Sequence, residues 1–139
     1  MTDTGSTTRT HPRTTVWPTL VYSDARAAIR FLVDAFGFEV TALHPPAGDE
    51  PVQHAELRWP DGGGVMLGSV REGGVLDGLP PGTGSVYVVV PDPDSLFARA
   101  TAAGATVVRA PRDEDYGSRD FVVRDPEGVF WCFGTYAGE

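Results

Sequence analysis

One pattern occurs twice in this chain. A β-rich run leads to an aspartate, an amphipathic stretch follows and a glycine stops it, first from Asp24 to Gly37 and again from Asp92 to Gly104. The aspartates are suited to cap helices, the glycines to end them, and Pro93 to a first helical position. In the first copy Ile29, Leu32, Val33 and Phe36 fall at i, i+3, i+4 and i+7, with Arg26, Arg30 and Asp34 on another face. A β-rich run from Val16 to Tyr22, with Pro18 at an edge or bulge, precedes it. Runs at Phe38–Leu43, His54–Trp59 and Val65–Leu67 follow, with a turn at Asp61-Gly62. The second copy starts at Val86–Val90, continues after its helix with Thr106–Arg109 and Asp120–Val123, turns at Asp125-Pro126-Glu127-Gly128, and ends with Val129–Phe133. The copies superimpose with an offset of 67 or 68 residues. The fold class expected is α+β: two tandem βαβββ modules forming a curved mixed sheet of about eight strands, with the helices outside. Neither module has enough core to stand alone, so the two are expected to join their sheets around one hollow able to hold a ligand.

The modules span residues 14–70 and 84–137 of a single domain, 14–139. The stretch Arg71 to Gly84, REGGVLDGLPPGTG, holds five glycines and two prolines, and residues 71–83 read as the linker between the modules. Residues 1–13, polar and Thr-rich without hydrophobic period, read as a mobile tail. Eleven basic against nineteen acidic residues give a net charge of −8, which argues against nucleic acid or an anionic membrane as partner and favours neutral or cationic ligands. A lone cysteine, Cys132, excludes an intrachain disulfide. No run approaches the roughly 20 apolar residues of a membrane span, and the start lacks the apolar segment of a secretion signal, so a cytoplasmic location is expected.

The sequence holds no P-loop, no G-x-G-x-x-G after a strand, no H-E-x-x-H and no paired C-x-x-C. Gly62-Gly63-Gly64 makes a hairpin, not a phosphate cradle, because no helix follows it. The candidates for binding are therefore scattered polar and aromatic side chains. His54 and Glu56, two residues apart on one strand, share a face and can orient a cationic or hydroxylated ligand; a structural histidine and a solvated glutamate compete with this reading. Trp17 and Tyr87, on the first strands of the two modules, and Phe121 offer walls for stacking, against the alternative that they fill the interior. Trp131 and Phe133 read as core. Tyr116 and Arg119 lie in a loop after the charged run Arg112-Asp113-Glu114-Asp115, where Tyr116 could stack on a ligand and Arg119 pair with an anion, or else clamp Asp125.

Tyr22-Ser23-Asp24-Ala25-Arg26-Ala27-Ala28-Ile29-Arg30-Phe31 with Ala35-Phe36-Gly37-Phe38 resembles the opening of vicinal oxygen chelate proteins. Asp92 to Gly104, Tyr116-Gly117-Ser118-Arg119 and Asp125-Pro126-Glu127-Gly128-Val129-Phe130-Trp131 resemble their closing half, so the likeness spans Val16 to Tyr136. The superfamily contains glyoxalase I, extradiol dioxygenases, fosfomycin-resistance transferases and bleomycin-resistance proteins. Its metal enzymes imply His, Gln or Glu ligands on the first and last strands of each module. The matching positions here are Trp17 and Ser85 on the first strands, Cys132 on the last strand of the second module, and one of Met66, Leu67 or Gly68 in the first. Such groups do not make a site for a hard or borderline ion. Cys132 at such a position should face the hollow as a plain thiol.

The reading expected is a metal-free binding protein of the bleomycin-resistance-like branch, with no cofactor, sequestering a small cationic or aromatic compound, an antibiotic among the candidates. The resemblance also implies a homodimer. The competing reading is a metal-dependent glyoxalase-type lyase or isomerase, or a dioxygenase, with His54 and Glu56 as ligands to a divalent metal and a third from His44, His11 or a dimer partner. A stand-alone accessory domain without a small ligand is the third.

Overall fold

The computed structural model describes residues 13–139; apart from Arg13, the expected tail lies outside the described residues. The chain runs β1 (Thr19–Tyr22), α1 (Ala25–Phe31), a π-helical turn (Leu32–Phe36), β2 (Glu39–His44), β3 (His54–Arg58), β4 (Gly64–Ser69), β5 (Ser85–Val89), α2 (Pro93–Ala102), β6 (Thr106–Asp113), β7 (Arg119–Arg124) and β8 (Phe130–Gly134). This is the βαβββ unit used twice, in an α+β architecture. The helix starts obey the capping chemistry read from the sequence: Asp24 accepts from the Ala27 N–H and Asp92 from the Ser95 N–H. Gly37, at φ 93°, closes the first helix in a conformation that favours glycine.

The eight strands hydrogen-bond as two sheets of four, β1-β4-β3-β2 and β5-β8-β7-β6, instead of one continuous sheet. In each the first strand pairs in parallel with the last, and the remaining pairs are antiparallel. The modules meet instead through their helical sides. Arg99 of α2 donates to the Asp34 carbonyl at 2.9 Å and, as a second donor beside the Gly37 N–H, to the Val33 carbonyl at 3.2 Å, joining the second helix to the end of the first. One continuous core results, in which Phe36 packs on Trp131 at 5.3 Å and on Phe133 at 4.8 Å between ring centres. Burial at this scale, about 25 cal/mol per Å² of apolar surface, explains why neither module is expected to fold alone.

Alternation along the strands then decides which side chains remain for function. On β3, Ala55 and Leu57 are buried while His54, Glu56 and Arg58 are half-exposed on the opposite face. On β8, Trp131 and Phe133 are buried in the core, as expected, and Cys132 faces the other way. Each sheet therefore has one face on the core and one face open.

Candidate functional site

The registers identify the corresponding positions on the two open faces. Thr19 pairs with Met66 in the first sheet, and Tyr87 with Cys132 in the second. Of the three last-strand positions left open by the sequence, Met66 is thus the partner of Cys132, with Thr19 matching Tyr87. Ser85 is exposed and pairs with Phe130, one step of the alternation further along the same face.

A groove of about 380 Å³ lies on the first sheet. Its floor is made by Thr19 and Val21 of β1 and by Met66 and Gly68 of β4, with Gln53 and His54 at one end and Arg71, Val75, Leu76 and Asp77 of the inter-module segment along its rim. His54 Nε2 lies 2.9 Å from Glu56 Oε2, and the His44 ring lies parallel to that of His54 at 6.4 Å. The expected pairing of His54 with Glu56 on one face is therefore present, and His54 lines the groove. The groove is of mixed character, with Val21, Met66, Val75 and Leu76 beside Thr19, Gln53, His54, Arg71 and Asp77.

The second open face is built differently. Asp120, buried on β7, receives Arg109 Nη2 and the Tyr116 hydroxyl, the latter at 3.2 Å. Arg109 also lies 3.2 Å from Glu114. Cys132 sits between Tyr87 and Val122 on this face, and burial, reinforced by the Asp120 charge, pushes its thiol pKa up. It is held as the unreactive thiol, in keeping with the plain reading of this residue. The Tyr87 hydroxyl donates to the Tyr136 carbonyl at 2.7 Å.

Several expected positions require correction. Trp17 precedes β1, and its ring receives the Arg58 guanidinium at 4.8 Å, away from the groove lining. Phe121 is fully buried between Phe97 and Phe133, each 5.2 Å away, because its place in the alternation of β7 turns it to the core. Arg119 shares that side: its guanidinium binds Asp94 of α2 and Asp113, so it neither faces a ligand nor clamps Asp125. Tyr116 donates its hydroxyl to Asp120 and makes an edge contact with Tyr136, and it stays 60% accessible on the second open face, outside the groove lining. His54, Glu56 and Cys132 do not converge, since the groove holding His54 is lined by the first module and the inter-module segment only. A larger space of about 810 Å³ lies between the modules, lined by Phe38, Trp59, Val65, Tyr87 and Val88 among others. Six valines wall it together with Asp61, Thr135 and the rings of Tyr87 and Trp59, and Trp59 Nε1 is buried without a hydrogen-bond partner.

The positions that correspond to metal ligands are occupied by an indole, a hydroxyl, a thioether and a protonated thiol: Trp17, Ser85, Met66 and Cys132. This donor set does not fit a divalent ion of the Zn²⁺ or Fe²⁺ kind. Among the described residues, no three His, Cys, Asp or Glu side chains are grouped so as to hold a metal. His11, the remaining third-ligand candidate, lies outside the described residues.

Paired βαβββ modules that each present an open sheet face define a class of proteins in which the sheets carry the chemistry or the binding. The sequence model of the Glyoxalase/Bleomycin resistance protein/Dioxygenase superfamily matches residues 14–133, and the chain belongs to this superfamily. An uncharacterized protein of Mycobacterium bovis is 39% identical over 126 residues, covering 84% of this chain and 80% of its own length. The structure is similar to that of TioX from Micromonospora sp. ML1, with a TM-score of 0.70, 32% identity, and coverage of 91% of this chain and 98% of that one. A superfamily member from Sphaerobacter thermophilus matches with a TM-score of 0.63 at 21% identity, over 87% of this chain and 97% of that one, a likeness of fold alone. No helix among the described residues is long and apolar enough to cross a membrane.

Proposed function

We propose that this chain is a metal-free small-molecule-binding protein that holds an aromatic or cationic compound in the groove on its first sheet. The single observation that carries the reading is the groove itself: Thr19, Val21, Met66 and Gly68 form its floor, Met66 standing at the one ligand-equivalent position that the groove contains, and His54, paired with Glu56, also lines it. A ligand held there is gripped by apolar contact and oriented by a few polar groups. The net charge of −8 and the Glu56 carboxylate favour a cation. The family's resistance members make an antibiotic one candidate of this class.

A homodimer belongs to the same reading. The open face of the second sheet exposes Tyr87, Val89 and Phe130, each about 40% accessible, an apolar surface that a second copy would cover. A cytoplasmic location is part of it too, compatible with the lone thiol of Cys132.

A thermal-shift series with planar aromatic cations tests the reading, comparing the wild type with Met66→Arg. A compound at 100 times its Kd stabilises the folded chain by roughly 2.7 kcal/mol. Stabilisation that disappears in Met66→Arg supports the groove; stabilisation equal in both chains places the ligand elsewhere and overturns it.

A further inference from the structure

The segment between the modules does more than connect them. Its ends are fixed on the strand that floors the groove: the Val70 N–H donates to the Tyr22 carbonyl and the Gly82 N–H to the Val21 carbonyl, both at 2.9 Å. Gly82, at φ 74° with the Glu127 carbonyl packed where a Cβ would stand, is a position that only glycine fits. Between these anchors the hydrogen bonds are local. Asp77 N–H reaches the Gly74 carbonyl, Leu79 N–H the Leu76 carbonyl and Gly73 N–H the Asp77 carboxylate, each at 3.0 Å. Among the described residues, no hydrogen bond ties residues 71–79 to either sheet.

At the rim of the groove this segment carries two adjacent apolar side chains that the folded chain does not bury. Val75 is 100% accessible and Leu76 47%, and both line the groove. Gly73 and Gly78, at φ 74° and 98°, flank them. A loop with pinned ends, local hydrogen bonds and glycines on both sides of an unburied apolar pair opens at low cost and gains by covering an apolar surface.

We propose that residues 71–79 form a strap that closes over a molecule in the groove, turning Val75 and Leu76 onto it. The strap rests on the groove being the binding site. It supplies the apolar roof that the open sheet lacks, and so selects for ligands with a flat or apolar upper surface. Arg71 and Asp77, also on the rim, move with it.

Proflavine, a planar aromatic cation whose fluorescence reports its own binding, serves as the probe. Its affinity is measured for the wild type, for Met66→Arg, and for Val75→Ser combined with Leu76→Ser; cleavage by trypsin after Arg71 is followed with and without it. Loss of two apolar contacts is expected to weaken binding about tenfold. The strap is supported by weakening in the double variant at unchanged melting temperature, together with slower cleavage after Arg71 in the presence of proflavine. Binding abolished by Met66→Arg but unaltered in the double variant, with equal cleavage, overturns the strap and leaves the groove standing. Absence of binding to the wild type, or binding indifferent to Met66→Arg, overturns the groove reading and the strap with it.

Discussion

The Tyr22 hydroxyl donates to the Asp125 carboxylate across 2.6 Å, tying the first strand of one module to the closing turn of the other over 103 residues of sequence. Asp125 is buried and also accepts from Trp131 Nε1 and from the N–H groups of Glu127, Gly128 and Val129. Asp125→Ala leaves the buried Tyr22 hydroxyl, Trp131 Nε1 and Val129 N–H without this acceptor, while the Gly128 N–H keeps the Asp125 carbonyl, and is expected to cost about 3 kcal/mol, against about 1 kcal/mol for Tyr22→Phe. Denaturant unfolding of both variants measures the difference, and equal losses contradict it.

The same pair sets an alkaline limit. Burial, and then the Asp125 charge, raises the Tyr22 hydroxyl pKa above its ordinary range. Below about pH 10 the hydroxyl is neutral in folded and unfolded chains alike; above it only the unfolded chain readily ionises, so this contribution to stability falls as pH rises. Melting temperatures between pH 8 and 11 should drop more steeply for the wild type than for Tyr22→Phe.

Glu127 performs a second joining task. Its carboxylate accepts from the N–H of Ser23 at 2.6 Å and of Asp24 at 2.7 Å, just before α1. Glu127→Ala should destabilise by about 1 kcal/mol, the usual scale of a lost cap. Glu127→Gln, which keeps an acceptor, should lose less; the ordering is read from urea midpoints.

Arg119→Ala separates a surface clamp from a ligand contact. Its partners Asp94 and Asp113 are 56% and 82% accessible, so the ion pairs contribute roughly 0–1 kcal/mol. Ligand affinity should be unchanged. A loss of affinity above about threefold, well outside that expectation, would return Arg119 to the binding site.

The dimer proposed here predicts that Phe130→Asp, on the open apolar face, yields single chains in sedimentation while the far-ultraviolet circular dichroism is retained. A wild type that sediments as a single chain at micromolar concentration contradicts the dimer.

How far the fold is legible in the sequence follows from where the information sits. Helix limits were readable because Asp24, Asp92, Pro93, Gly37 and Gly104 act through their own neighbours. Whether the two sheets would merge was not, since the answer lies in contacts such as Arg99 on the Val33 and Asp34 carbonyls and Tyr22 on Asp125, between residues more than 60 positions apart. The site was legible in part. His54 and Glu56 follow from the period of a strand, but the face assigned to Phe121 and Arg119 depends on the register of β7. Met66 is one of three last-strand candidates in the sequence and only the register selects it, whereas Thr19 follows from the offset of 68 from Tyr87. Residues 71–83 read as a linker in the sequence because their glycines and prolines outweigh Val75 and Leu76, whose exposure beside the groove only the structure shows.

The central claim is that organic side chains, and no metal, make the binding site. Elemental analysis of the untagged protein, purified without chelator, tests it most directly when paired with ligand titration before and after dialysis against EDTA. The account predicts metal far below one ion per chain and an affinity that EDTA leaves unchanged. One divalent ion per chain, with binding lost on its removal, contradicts it.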